Sequence, residues 1–441
     1  MRSLVSGEEG CSEGSAAWSD GDCGNNEHAD SNSNIAKTHC ISAMTDAKGH
    51  QLQGYWKRME ILFLDQFSVM GGAQICLLDV LDAVEKRDWH AHIALPGDGP
   101  LVEQVRSRGL AVDKIPCGPY RSGSKSLGDF FQLPLDVWRQ KRMLTELINP
   151  KQVDLVYVNG PRLLPAAALA AHDRVPVLFH AHSRLNQGYA AGLAGWSIRH
   201  SDATVVACSN YVARPLGQYV KKLKLHVIPN GTPDAGFRER AFGPARSWRI
   251  GLIGRISPEK GQAEFLQAIS MLAPAFPAAK FVICGAPILP AGKYLDFVSE
   301  LARGLPVEFL GWRDDIASVL AGLDLLVVPS KDEGMGRVIV EAFSAGVPVV
   351  AFATGGIPEV ITGNETGFLV QEATPDALAA RIRAIILSDA ETVRRVVINA
   401  RRSWEQSYAV SSYQSRIMQV VEQLGFAWRA EHEIAAPPAR K

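Results

Sequence analysis

The 441 residues have no net charge, because 46 lysines and arginines balance 46 aspartates and glutamates. A chain without a basic excess lacks the electrostatic footprint of bulk nucleic-acid affinity, so no nucleic-acid partner is expected. Long apolar runs are also missing. Nowhere do roughly 18 apolar residues follow one another, so no membrane-spanning helix is expected. The first 30 residues hold no apolar stretch of the kind that marks a secretory leader. Cysteine is sparse and scattered. The seven (Cys11, Cys23, Cys40, Cys76, Cys117, Cys208, Cys284) are odd in number and none stands in a CxxC pair. A zinc ribbon, a dithiol redox site and a disulfide framework all fit badly, which points to a reducing, cytoplasmic setting.

What is present is ordinary globular composition, 47% hydrophobic and 21% charged. At about 150 residues per domain the length allows about three domains, or two large ones. Residues 1–50 stand apart. They hold only four Val, Ile, Leu or Phe (Leu4, Val5, Ile35, Ile41), with eight serines, six glycines and eight acids against three bases. Such a segment buries too little apolar surface to offset its ordering entropy, so 1–55 reads as a disordered acidic tail.

From Met59 onward, short apolar runs alternate with helical stretches, the pattern of parallel sheets covered by helices. The runs are 61–65, 91–95, 155–158, 177–179, 204–207 and 227–228. A cluster of turn formers follows, Asn230-Gly231-Thr232-Pro233-Asp234-Ala235-Gly236 and then Gly243-Pro244. The pattern then restarts at 249–253, 280–284, 306–310, 325–328, 348–352 and 367–370. The expected organisation is an N-terminal Rossmann-like domain over 56–235, a linker at 236–246 and a second α/β domain over 247–410. A C-terminal helix at 411–428 would pack back on the first domain, and 429–441 would be a frayed tail. Ligands of such sheets bind beyond the carboxyl ends of the strands, so the site belongs in the cleft between the two.

The densest segment runs from Val327 to Glu341 and contains Pro329-Ser330-Lys331-Asp332-Glu333-Gly334-Met335-Gly336-Arg337. A buried strand ends at Pro329, and a helix starts near Gly336 and stops at Gly346-Val347-Pro348. Glu333 in the loop and Glu341 in the helix can reach sites on the order of 10 Å apart, the span from a sugar to a ribose. Gly334 and Gly336 let backbone approach a ligand, and the helix start favours a phosphate. The competing reading makes Glu333 a helix-entry acid and Glu341 an exposed-face residue. Arg255 and Lys260, in Gly254-Arg255-Ile256-Ser257-Pro258-Glu259-Lys260-Gly261, can converge on one diphosphate or be solvated loop cations. Gly71-Gly72-Ala73 offers a glycine turn at a helix start, without the GxGxxG of a dinucleotide site. His180 and His182 fall on one face if their strand continues through them. Two histidines alone do not make a metal site, and the DxD at Asp20-Gly21-Asp22 lies in the acidic tail, so no metal is expected.

Taken in order, these pieces resemble the group 1 glycosyltransferases, retaining enzymes of the GT-B fold that use nucleotide sugars. The resemblance covers Met59 to about Phe426. It rests on Gly71-Gly72-Ala73, Val156-Tyr157-Val158-Asn159, His180-Ala181-His182, Ile228-Pro229-Asn230-Gly231, Gly254-Arg255 with Glu259-Lys260-Gly261, Phe309-Leu310-Gly311, Pro329-Ser330 with Glu333 and Glu341, and Gly355-Gly356-Ile357-Pro358-Glu359. It implies a hexose-type transferase acting from a UDP- or GDP-linked donor on a glycan, lipid-linked or small-molecule acceptor, in polysaccharide or glycoconjugate synthesis. No cofactor or metal is implied.

By the resemblance, Arg255 and Lys260 stabilise the departing nucleotide. Glu333 with Gly334, Met335 and Gly336 contacts the donor sugar, Glu341 the ribose, and His182 (less so His180) the sugar near the reacting carbon. Gly71 and Gly72 bring the opposite domain to the phosphates. Met335 stands where many members have another residue beside the sugar, and Thr232-Pro233 replaces the common Val-Asp. The acceptor would lie on the first domain, at loops such as 118–129 and 187–195. The lysines at 221, 222 and 224 are a candidate for peripheral contact with the inner membrane face. A 2-epimerase of the same fold, or a non-catalytic nucleotide-sugar binder, are the alternatives.

Overall fold

The computed structural model describes residues 58–117, 127–149, 152–185, 188–287 and 293–433. The acidic segment at 1–55, most of the 118–129 loop and the end at 434–441 lie outside the described residues. From Arg58 on, the chain forms one compact unit built around two parallel sheets.

The first sheet has seven strands in the order β3-β2-β1-β4-β5-β6-β7. They are β1 (Glu60–Asp65), β2 (His90–Leu95), β3 (Val112–Lys114), β4 (Leu155–Asn159), β5 (Val177–Ala181), β6 (Thr204–Ala207) and β7 (Leu225–Val227). The second has six in the order β10-β9-β8-β11-β12-β13: β8 (Arg249–Ile253), β9 (Lys280–Cys284), β10 (Val307–Gly311), β11 (Leu325–Val328), β12 (Val349–Phe352) and β13 (Phe368–Val370). The central strands β4, β5, β6, β11 and β12 are buried along their whole length, because helices cover both faces; this is why they read as continuous aliphatic runs. β3 escapes such a reading, since Val112-Asp113-Lys114 is an edge strand with one apolar residue.

Strand order reverses between β1 and β4 in the first sheet and between β8 and β11 in the second. Loops at the carboxyl ends of these four strands flank the switch points where α/β sheets bind ligands. Helix α1 (Gly72–Glu85) follows β1 and α2 (Arg337–Ala345) follows β11. α2 ends on Gly346, whose φ of +71° suits the left-handed cap that glycine adopts without strain.

The chain passes between the halves twice, and the two passages pair. Thr232 N–H donates to the Tyr408 carbonyl at 2.8 Å, Val410 N–H to the Thr232 carbonyl at 3.0 Å, and Trp404 Nε1 to Thr232 Oγ1 at 2.9 Å. Thr232, a departure from the common family residue, is thus a fixed point of the crossing. Residues 236–246 are irregular yet fastened to the second half, where Arg240 donates to the carbonyls of Leu320, Leu323, Ala345 and Gly346. The last helix, α3 (Val410–Glu433), returns to α1 in the first half, with Gln414 Nε2 donating to the Asp79 carbonyl at 2.7 Å and Arg87 paired with Glu422 at 2.9 Å.

Candidate active site

Two loops of the second half are locked together by glycines. Gly261 has φ +74°, and a Cβ there would lie 2.0 Å from the Pro329 carbonyl oxygen. The loop after β8 therefore packs directly on the end of β11, and Lys331 N–H donates to the Glu259 carbonyl at 2.8 Å. From this base Lys260 Nζ reaches Glu333 Oε2 at 2.5 Å, with both side chains largely buried. Arg255 stands to the side of that pair, more exposed, and bonds Glu259 one turn on. Gly355 and Gly356 support Glu333 and Gly334 from below, where Cβ atoms would come within 2.2 Å of the Glu333 and 2.1 Å of the Gly334 carbonyl oxygens. The start of α2 has no side-chain cap, which leaves its N–H groups for an anion.

Glu341 does not stand free on the face of α2. Arg337 Nε donates to its Oε1 at 3.0 Å, and Arg337 Nη1 crosses to Asp79 Oδ2 on α1 at 3.0 Å and to Cys76 Sγ at 3.4 Å. Sequence reasoning passed over Arg337 and Asp79. Met335 also differs from expectation. Its side chain is buried and its sulfur accepts the Asn230 N–H at 3.1 Å, so the side chain fills the core.

In the first half, Asp65, Asn159 and His180 lie in register at the ends of β1, β4 and β5. His180 is wholly buried and shares a 2.5 Å hydrogen bond with the Tyr157 hydroxyl, which makes it a core histidine. Its ring stands 3.9 Å from that of His182, so the two share one side although β5 ends at Ala181, one residue before His182. His182 Nε2 lies 2.7 Å from Asn159 Oδ1, while Nδ1 is buried with no partner. Burial, helped by the Arg337 charge, pushes the His182 imidazole down to about 3. Gly71 and Gly72 open α1 on the same edge. A Cβ on Gly71 would press within 2.9 Å of Gln74 Oε1, whereas Gly72 faces open space.

The halves meet at these residues. A Cβ on Gly334 would fall 2.4 Å from the His182 carbonyl oxygen, and Ser209 Oγ donates to the Gly334 carbonyl at 2.5 Å. Glu359 accepts the N–H groups of Asn210 and Tyr211, both at 2.7 Å, and the Tyr211 hydroxyl donates to Asp332 at 3.0 Å. Lys260 with Glu333, Gly334 with His182, and Glu341 with Arg337 therefore converge on one interface, with Arg255 at its margin. Among the described residues no group of three or more His, Cys, Asp or Glu side chains is placed to hold a metal ion, and no helix is long and apolar enough to cross a membrane.

Comparison with known proteins identifies the family and the fold. Residues 70–235 match the family described as Glycosyltransferase Family 4, and residues 238–403 that described as Glycosyl transferases group 1. The chain is 32% identical to the sulfoquinovosyl transferase of Arabidopsis thaliana over 70% of its own length and 62% of that protein. It is 34% identical to a D-inositol 3-phosphate glycosyltransferase of Corynebacterium jeikeium over 33% of its own length and 37% of that relative, so the alignments span only part of these relatives. Its fold is similar to that of Anabaena HepE solved with UDP and glucose, with TM-score 0.69 and 27% identity over 83% of this chain and 100% of that one. Sucrose-phosphate synthase of Thermosynechococcus elongatus shares the fold at TM-score 0.67 and 20% identity, covering 84% of this chain and 100% of that one. Two family matches that tile both halves, two parallel sheets and loops joined at the switch points make the chain a member of the group 1 glycosyltransferases, with the GT-B fold.

Proposed function

We propose that this transferase moves a hexose-type sugar from a UDP- or GDP-linked donor to a glycan, lipid-linked or small-molecule acceptor, with retention and without metal or other cofactor, in polysaccharide or glycoconjugate synthesis. The observation that carries the reading is the Lys260–Glu333 pair, held at the switch point of the second sheet beside an uncapped helix start. Breaking the sugar–phosphate bond leaves a diphosphate whose charge grows as the bond stretches, so stabilisation must strengthen in the transition state. Lys260, Arg255 and the first N–H groups of α2 are the groups for that task. Glu333 and the backbone of Gly334–Gly336 meet the sugar, Glu341 the ribose, and the free lone pair of His182 a sugar hydroxyl. UDP is favoured by the likeness to HepE, which was solved with UDP-glucose.

The acceptor is assigned to the first half, where a cavity of about 550 Å³ is lined by Arg184, Gly188, Arg214 and Tyr219. The guanidinium of its lining residue Arg184 lies 4.7 Å over the Tyr211 ring. The site is assigned to the cytoplasm, with contact at the inner membrane face through Leu223, which is 91% exposed beside Lys222. Titrating wild type and Lys260→Ala with a panel of sugar nucleotides tests the reading. Saturable binding of one diphosphate sugar with turnover lost in the variant is expected. Undiminished turnover in Lys260→Ala would overturn it.

A further inference from the structure

Donor chemistry assigns nothing to Asp65, yet this buried carboxylate accepts four hydrogen bonds. Its Oδ1 accepts the Phe67 N–H at 2.8 Å and Gln74 Nε2 at 3.0 Å; its Oδ2 accepts Asn159 Nδ2 at 2.6 Å and Gln74 Nε2 at 3.1 Å. An ionised carboxylate only accepts, so it dictates which way the Asn159 amide points. The same Nδ2 donates to the Ala73 carbonyl at 3.1 Å, which fixes the orientation twice. Asn159 therefore presents its oxygen to His182 Nε2 at 2.7 Å. A carbonyl oxygen cannot donate, so the ring proton sits on Nε2 and Nδ1 keeps a bare lone pair with no partner. We infer that Asp65 is a positioning residue that acts through Asn159 to hold His182 as the Nε2–H tautomer, leaving Nδ1 to accept a hydroxyl of the bound sugar. The last step rests on the sugar contact proposed for His182; the tautomer assignment does not.

The relay has a predictable failure. In Asp65→Asn, the Phe67 N–H keeps an oxygen at Oδ1, so an NH2 group replaces Oδ2 and faces Asn159 Nδ2. The clash of two facing NH2 groups outweighs the longer contact of Asn159 Nδ2 with the Ala73 carbonyl, so Asn159 turns over, offers its own NH2 to His182 and drives the ring proton to Nδ1. Protonation of Asp65 removes the same acceptor. Burial outweighs the hydrogen bonds and raises this carboxyl to about 6. The groups bonded to it (Phe67, Gln74, Asn159) do not ionise. Of the ionisable ones nearby, Tyr157 is held protonated and His180 and His182 neutral by burial, and Arg337 on α2 stays charged against Asp79 on α1. The ionised form that orients Asn159 is thus present above about pH 6 and lost as the pH falls through it.

The test is nitrogen NMR of 15N-histidine-labelled full-length protein at pH 7.5, with His182→Gln identifying the resonance. Nε2–H in wild type and Nδ1–H in Asp65→Asn are expected, with turnover of the variant reduced by about tenfold, the worth of one neutral hydrogen bond. Nδ1–H in wild type, or Nε2–H retained in a folded Asp65→Asn, overturns the inference. If that variant does not fold, wild type taken from pH 7.5 to 5 decides the same point: the tautomer exchanges near 6 without charging the ring, and its failure to do so overturns the relay. A switched tautomer with unchanged turnover upholds the relay and removes only the sugar contact of His182.

Discussion

Replacing Arg337 by alanine removes the cation that joins the two halves. Its side chain is 10% exposed and lies between Asp79, 12% exposed, and Glu341, 19% exposed. Deleting it strands two carboxylates where water is scarce. Breaking a buried pair in this way costs about 3–5 kcal/mol, because the charge left behind is uncompensated. Burial already holds the Asp79 carboxyl above its ordinary range, and Arg337 opposes that shift. Without the arginine the Asp79 carboxyl protonates at still higher pH, so the loss is greatest near pH 8 and shrinks toward pH 5 as Asp79 takes up a proton. The assay is urea unfolding of wild type and Arg337→Ala at both pH values, with Asp79→Leu/Arg337→Met/Glu341→Leu as the control, since apolar replacement of a whole buried ion cluster is often close to neutral. A loss below about 1 kcal/mol at pH 8, or one that does not shrink with pH, refutes the reasoning.

Glu341→Ala is expected to weaken binding of free nucleotide diphosphate, whereas Glu333→Ala lowers turnover more than affinity; calorimetry and kinetics on both variants check the split. Gly334→Ala places a methyl 2.4 Å from the His182 carbonyl oxygen, so the halves must part, and donor turnover should fall by on the order of a hundredfold. In Leu223→Ser/Lys222→Glu, cosedimentation with anionic vesicles should drop while transfer to a soluble acceptor is kept.

Much of this molecule is legible in its sequence where one residue type has one physical use. The buried strands announce themselves as aliphatic runs, and the glycines at 261, 336 and 346 mark backbone with positive φ. The loops at 254–261 and 329–336 could be singled out because glycine, cation and carboxylate crowd a strand end. What stays hidden is pairing across distance. Arg337 reads as one more surface cation at a helix start, since its partner Asp79 is 258 positions away. Asp65 and Asn159, 94 positions apart, look like ordinary strand ends until the register of β1 and β4 sets them side by side. Met335 misleads for the opposite reason: its neighbours suit a ligand, but its own side chain fills the core behind them.

The central claim is that Lys260 and Arg255 drive departure of the nucleotide with retention, without a metal. Proton NMR of donor hydrolysis tests it most directly, following UDP-glucose with the acceptor omitted and EDTA present. Release of UDP with the α-anomer of the free sugar appearing first is expected. The rate should fall by about a hundredfold in both Lys260→Ala and Arg255→Ala. First appearance of the β-anomer, or a rate abolished by EDTA and restored by magnesium while Arg255→Ala behaves as wild type, would contradict it.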